Sequence, residues 1–175
     1  MLREVGLLAL MLTPMLTLGA CGLAPVYSGG SRGAAAASFN DISVAAIPDR
    51  SGFLVRQALL DRLGGAHEGA RYRLEVELDD QIVAFGVRGD NSAARERRTL
   101  RARYRLVDTA DNGVVLDATA GSDSGIDRVS SNFAVVAAEA TALERLSTEV
   151  ARQISARLAL FAREKAALTA KPEGR

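Results

Sequence analysis

The side chains able to do chemistry are few, and most stand where they cannot act together. The single histidine, His67, lies beside Glu68 and next to the Gly64-Gly65 pair. Catalytic zinc takes about three protein ligands, so one imidazole and a neighbouring carboxylate give no metal site. A serine hydrolase would need that same imidazole as its base, but there is no Gly-x-Ser-x-Gly turn. Gly121-Ser122-Asp123-Ser124-Gly125 has Asp at its centre and reads as a polar loop. Asp79 and Asp80 are adjacent carboxylates, yet neighbours in a strand point to opposite faces and cannot flank one substrate; Asp80 is expected at a bulge. No Walker or dinucleotide-type glycine loop occurs. The expectation is a protein that is not an enzyme and carries no metal. What remains is cationic: Arg95, Arg97 and Arg98, with Arg88 nearby and only Asp90 and Glu96 as close acids. Two readings stand for this cluster, a solvated loop or guanidinium forks directed at phosphate, where each fork binds two oxygens.

Cys21 is the only cysteine, so no disulfide can form within the chain. Its surroundings suggest another use. Arg3 lies near the start, partly cancelled by Glu4, and an apolar run from Val5 to Leu18 follows. This is the layout of a secretory signal. A spanning helix needs roughly 20 apolar residues, and Pro14 interrupts a run of about that length or less. Leu18-Gly19-Ala20 before Cys21 resembles the sequence that lipoprotein signal peptidase accepts in bacterial lipoproteins. The resemblance implies cleavage before Cys21, diacylglycerol on its sulfur and an acyl chain such as palmitate on the new amino terminus. Two or more chains give durable anchoring, at roughly 0.8 kcal/mol per buried methylene. Gly22 is not the Asp that retains enteric lipoproteins at the inner membrane, which implies the outer membrane, on its periplasmic side. The covalent lipid is the only non-protein group expected.

Removing residues 1–20 as a signal peptide leaves about 155 residues, enough for one core. The formal net charge of +1 gives no reason to invoke nucleic acid. Tryptophan is absent and aromatics are sparse, so the stacking platforms of a carbohydrate or single-strand binder are missing. Residues 21–38, rich in Gly, Ser and Ala, are expected to be a lipidated flexible tether, 39–168 a single α+β domain and 169–175 a disordered tail.

The elements that would position the arginines follow from periodicity. Ile42 to Ile47, closed by Pro48, reads as a first strand, and Asp49 or Ser51 can cap a helix carrying Val55, Leu59 and Leu63 that stops at Gly64-Gly65. Tyr72 to Asp79 alternates apolar and charged residues strictly, which defines a half-buried strand. Beyond Asp80, Val83, Phe85 and Val87 fall on the other parity, predicting a bulge or a change of buried face, and Gly86 to Asn91 turns the chain. Leu100 to Leu106 alternates with Arg101, Arg103 and Arg105, Asp111-Asn112-Gly113 makes a hairpin, and Val114 to Ala120 forms a fourth strand. The charge pattern selects one register, with Glu75 opposite Arg105, Glu77 opposite Arg103 and Asp79 opposite Arg101, while Asp117 faces Arg103 from the other side. Much of the arginine row would then complete a solvated charge lattice. A long helix starts near Ser130 or Ser131, with Phe133, Val136, Ala140, Leu143, Leu146, Val150, Ile154, Leu158 and Phe161 as its stripe. The expected fold is a two-layer α+β sandwich of order β-α-β-β-β-α, a mainly antiparallel four-stranded sheet with two helices on one face.

Several segments resemble a known family. Cys21-Gly22-Leu23-Ala24-Pro25-Val26-Tyr27 is similar to the Cys-Gly-x-x-Pro-Leu-Tyr start of LptE lipoproteins, in an alphaproteobacterial-like form. Arg50-Ser51-Gly52-Phe53-Leu54-Val55-Arg56, followed by Leu59 and Asp61-Arg62-Leu63, resembles the family's first-helix opening. Tyr104-Arg105-Leu106-Val107-Asp108 with Gly113-Val114-Val115 resembles its hairpin. Phe133-Ala134, Ala137-Ala138-Glu139, Ala142, Ile154 and Arg157-Leu158 resemble its last helix. Leu23-Ala24 and Phe53 depart from the usual residues. The resemblance implies a non-enzymatic plug inside the LptD β-barrel that helps lipopolysaccharide reach the outer leaflet of the outer membrane. It makes lipid A the phosphate that Arg95, Arg97 and Arg98 would meet. The alternative is an auxiliary envelope lipoprotein of another transport complex, binding periplasmic protein partners.

Overall fold

The structure, a computed structural model, describes residues 39–65, 69–87 and 93–170. The expected signal peptide, Cys21, the tether, His67, Arg88 and Asp90 lie outside the described residues, as do 171–175. The elements run β1 (Ile42–Val44), α1 (Asp49–Leu63), β2 (Tyr72–Val87), β3 (Ala93–Asp108), β4 (Val114–Asp127) and α2 (Asn132–Ala170). This is the expected order. Strands line up β1-β2-β3-β4, with β1 parallel to β2 and the other pairs antiparallel, so the sheet is mixed. The parallel step is the one that needs a crossover, and α1 supplies it.

β1 is shorter than the apolar run that suggested it. Pro48 ends the extended segment and precedes α1, with no side-chain cap on that end, so neither Asp49 nor Ser51 acts as expected. The other end of α1 stops as anticipated: Gly64 adopts φ 88°, and the Gly65 amide returns to the Leu60 carbonyl at 2.9 Å. Gly52 allows α1 to lie against the incoming chain, because a Cβ there would fall 2.6 Å from the Ile47 carbonyl oxygen.

The β2–β3 register places Glu75, Glu77 and Asp79 opposite Arg105, Arg103 and Arg101, as the charge pattern predicted. Beyond Asp80 the structure corrects the sequence reading. No bulge occurs in β2; the ladder stays in step, and Gln81 to Gly86 are exposed because the strand outruns the layer that covers it. The irregularity is on β4 instead, where Leu106 pairs with Leu116 but Val107 with Val114, leaving Val115 over. A second correction concerns Gly121 to Gly125. This segment is no loop but the middle of β4, paired with Arg101 to Arg97. Polar composition concealed a strand whose outward face is meant to be wet.

Both helices cover the same sheet face. Leu59, Leu63, Leu74, Leu100, Leu106, Val150, Ile154 and Leu158 form the heart of the core. α2 is capped by Ser131, whose Oγ accepts from the Ala134 amide at 3.4 Å, and it continues to Ala170, past the boundary expected at Leu168. Its buried stripe holds from Leu143 onward. In the first turn, however, Phe133 is 85% exposed and Val136 also faces solvent, while Val135 is buried. The inner sheet face near that end is largely polar, with Asp80, Glu96 and Arg98 beside Ile82 and the buried Ile126.

Candidate functional site

Strand parity decides what the arginines can reach. Odd positions of β3 project from the outer face of the sheet and even ones toward the helices, where Leu100, Ala102, Tyr104 and Leu106 are buried. Arg95 and Arg97 therefore share the outer face with Arg101, Arg103 and Arg105, whereas Arg98 goes inward. The three are not one cluster, and the expected shortage of acids is also corrected. Arg95 Nε lies 3.0 Å from an Asp127 carboxylate oxygen. Arg97 lies 4.0 Å from Asp123 and 5.4 Å from the centre of the Phe85 ring. Both acids come from the part of β4 taken for a loop or left unassigned.

Arg98 is bound on every side. Its Nε and Nη2 donate to the two Asp80 oxygens at 2.8 and 2.6 Å, and its Nη1 to the Glu139 carbonyl of α2 at 3.0 Å. Only 13% of its side chain is exposed. The Asp80 bond, the largest influence, pushes the guanidinium's affinity for its proton still higher. Arg98 thus pins the start of α2 to the sheet. Beside it, Glu96 is buried and pairs with Arg128, a contact the sequence did not suggest. The signal for the inward turn was present, since Asp80, Glu96 and Arg98 share parity with Leu78, Leu100 and Ala102.

The outer face is a charge lattice. Arg105 bridges Glu75 at 3.5 Å and Glu77 at 3.2 Å, and Arg103 holds Asp117 through two bonds of 2.8 and 3.2 Å. In register Asp117 stands opposite Arg105, so its bond to Arg103 is diagonal. Hydrogen bonding from Arg103 lowers the pKa of Asp117 below the usual carboxylate range. Arg101 makes no ion pair among the described residues, although Asp79 is its register partner; Asp79 accepts from Gln81 instead. A hollow of about 670 Å³ opens here, lined by Glu77, Asp79, Arg101, Arg103, Thr119 and Gly121 among others. Gly121 makes room for it: a Cβ would meet Arg101 Nη1 at 2.6 Å.

At the far end of the β2–β3 hairpin, the outer arginines adjoin exposed apolar side chains. Val83 stands opposite Arg97 and Phe85 opposite Arg95, while Ile82, opposite Arg98, is exposed on the other face. Among the described residues, no group of three His, Cys, Asp or Glu could hold a metal ion, and no helix is long and apolar enough to cross a membrane.

The described residues form a small two-layer α+β domain of lipoprotein-like fold, whose outer sheet face is an array of paired charges with exposed apolar side chains at one end. Its family is the LptE lipopolysaccharide-assembly family, to which the chain belongs, the family model matching residues 39–158. A crystal structure described as that of a lipoprotein from Caulobacter crescentus CB15 is 29% identical, with a TM-score of 0.64, covering 76% of this chain and 98% of that one. A minor lipoprotein from Acinetobacter baumannii, at 15% identity and TM-score 0.56, covers 68% of this chain and 90% of its own. Lipoprotein B from Nitrosomonas europaea, at 13% and 0.53, covers 70% and 88%. The last two speak for the fold alone. A search of curated proteins finds no match.

Proposed function

We propose that the mature chain, anchored by lipid on Cys21 to the periplasmic side of the outer membrane, is a non-enzymatic plug and assembly partner of an LptD-like β-barrel. There it assists transport of lipopolysaccharide into the outer leaflet. Family membership supports the lipopolysaccharide part. The observation that supports the plug is the outer sheet face, where Glu75, Glu77, Arg103, Arg105 and Asp117 form ion pairs across β2, β3 and β4. A surface of alternating charge is compatible with the polar, wet interior of a barrel and not with lipid.

Arg95 and Arg97 are the residues proposed to meet lipid A phosphates. Their partners Asp127 and Asp123 are well exposed, and exposed pairs contribute only about 0–1 kcal/mol, so a phosphate can displace either acid. Arg98 supports them by fixing the sheet end to α2.

The test is mild detergent extraction of tagged protein followed by mass spectrometry. A large outer-membrane barrel should be recovered in comparable amount, and its absence would refute the plug. Arg95→Ala with Arg97→Ala should weaken lipopolysaccharide binding and flatten its salt dependence, because two phosphate contacts are lost. Unchanged binding would reduce both to solvated charges on the outer face of β3.

A further inference from the structure

The two edges of the sheet are treated differently. At the β4 edge, Gln153 of α2 presents its carboxamide to Gly121: the Gly121 amide donates to Oε1 at 3.1 Å, and Nε2 donates to the Gly121 carbonyl at 3.2 Å. The side chain thereby takes the place a neighbouring strand would occupy and closes this edge at its middle. Nε2 also bonds Glu149 at 3.0 Å, which holds the amide in position.

The β2 edge has no such closure. β1 pairs only with Tyr72, Arg73 and Leu74. The Tyr72 amide donates to Asp41 and the Leu74 carbonyl accepts from Ala45, so even-numbered residues direct their backbone groups to this side. By strand geometry the amides and carbonyls of Val76, Leu78, Asp80, Ile82, Ala84 and Gly86 face the same way, and among the described residues no strand pairs with them. Long open edges offer a template for an added strand, and the inward-pointing Asp80 on this one is already held by Arg98 at 2.6 and 2.8 Å.

We infer that the β2 edge from Val76 to Gly86 accepts an added strand, and that its occupant is an extended partner segment alternating basic and apolar residues. Charge selects it. Glu75, Glu77 and Asp79 line the outer side of the edge; from the neighbouring strand they meet arginines only on β3, and within β2 Glu75 gains Arg73 at 3.1 Å. Asp79 is answered by neutral Gln81 alone, and Glu77 shares Arg105 with Glu75. A basic strand on the open side would repeat what β3 provides, with main-chain bonds for affinity and alternate side chains for choice. A second copy of this chain fits poorly, because two β2 edges laid antiparallel would set acids against Val83 and Phe85.

The proposal goes beyond the plug reading and is tested without a barrel. The probe is a fluorescent peptide of alternating Arg and Val, titrated by anisotropy into detergent-solubilised full-length protein. The peptide should bind. Ile82→Pro removes an amide that faces the open edge and spares the ladder to β3; edges tolerate proline, so circular dichroism and Tm should hold while affinity falls about tenfold or more. Ala84→Pro is the second variant should the first misfold. A peptide N-methylated at every second residue, in the register that faces β2, should lose binding equally. Three results would overturn the inference: no binding, binding indifferent to proline and N-methylation, or self-association of the unliganded protein that Ile82→Pro abolishes.

Discussion

Arg95 and Arg98 lie three residues apart in one strand and have opposite fates, which sets the clearest test at the level of single side chains. Arg98 and Asp80 are 13% and 19% exposed, and removing the cation strands a carboxylate beneath α2. Arg98→Ala should cost about 2–3 kcal/mol. Arg95→Ala deletes a pair that is 66% and 79% exposed and should stay within about 0.5 kcal/mol. Urea denaturation of both variants checks this; equal losses would mean that the Asp80 bond carries no special weight. Parity made the difference legible in advance. Sequence proximity suggested a single cluster, but the two-residue period that identified β3 also assigns Arg98 to the side of Leu100. The acids that answer Arg95 and Arg97 were harder to see, because Asp123 and Asp127 become neighbours only once β4 is known to run so far.

Among the elements, those with a strict period were readable and those with a mixed one were not. Alternating charge fixed the β2–β3 register because a shift of one residue would bury the arginines. Gly121 to Gly125 lacks the apolar half of that signal; its strand character comes from pairing with Arg97 to Arg101 and from Gln153, both long-range. In α2 the period holds wherever an apolar sheet lies beneath it, and fails at Phe133 and Val136 where the sheet is largely polar. The same helix carries a pH-sensitive contact. Arg152 and Gln153 bond Glu149 and lower its pKa from 4.5 to about 2. Because the folded-state pKa is depressed, this stabilisation is present above pH 4.5 and is lost as pH falls toward about 2. In Arg152→Gln, the urea midpoint should depend less steeply on pH across that window. An unaltered slope would assign the acid sensitivity to other carboxylates, such as Asp108 and Asp117, which are also lowered.

At the level of the whole molecule, the layer architecture followed from element order alone, whereas the mixed sheet did not, since nothing in Ile42 to Val44 says which way its partner runs. The order has a kinetic side. β2, β3 and β4 are consecutive hairpin partners, so most of the sheet can zip up from contacts close along the chain. β1 must wait until α1 has closed the one non-local step. Asn112, at φ 57° in the second hairpin, is positioned to govern the early part. Replacing it with Ala disfavours that conformation by about 1–2 kcal/mol. Stopped-flow refolding of Asn112→Ala should slow while unfolding keeps its rate; a change confined to unfolding would date the turn after the rate-limiting step. If the sheet does assemble first, the exposed β2 edge exists before the helices have covered the core. A nascent chain emerging into the envelope then carries an open strand edge from the start of folding, which makes it a candidate for escort by a chaperone that binds extended, basic-free segments until α2 has docked.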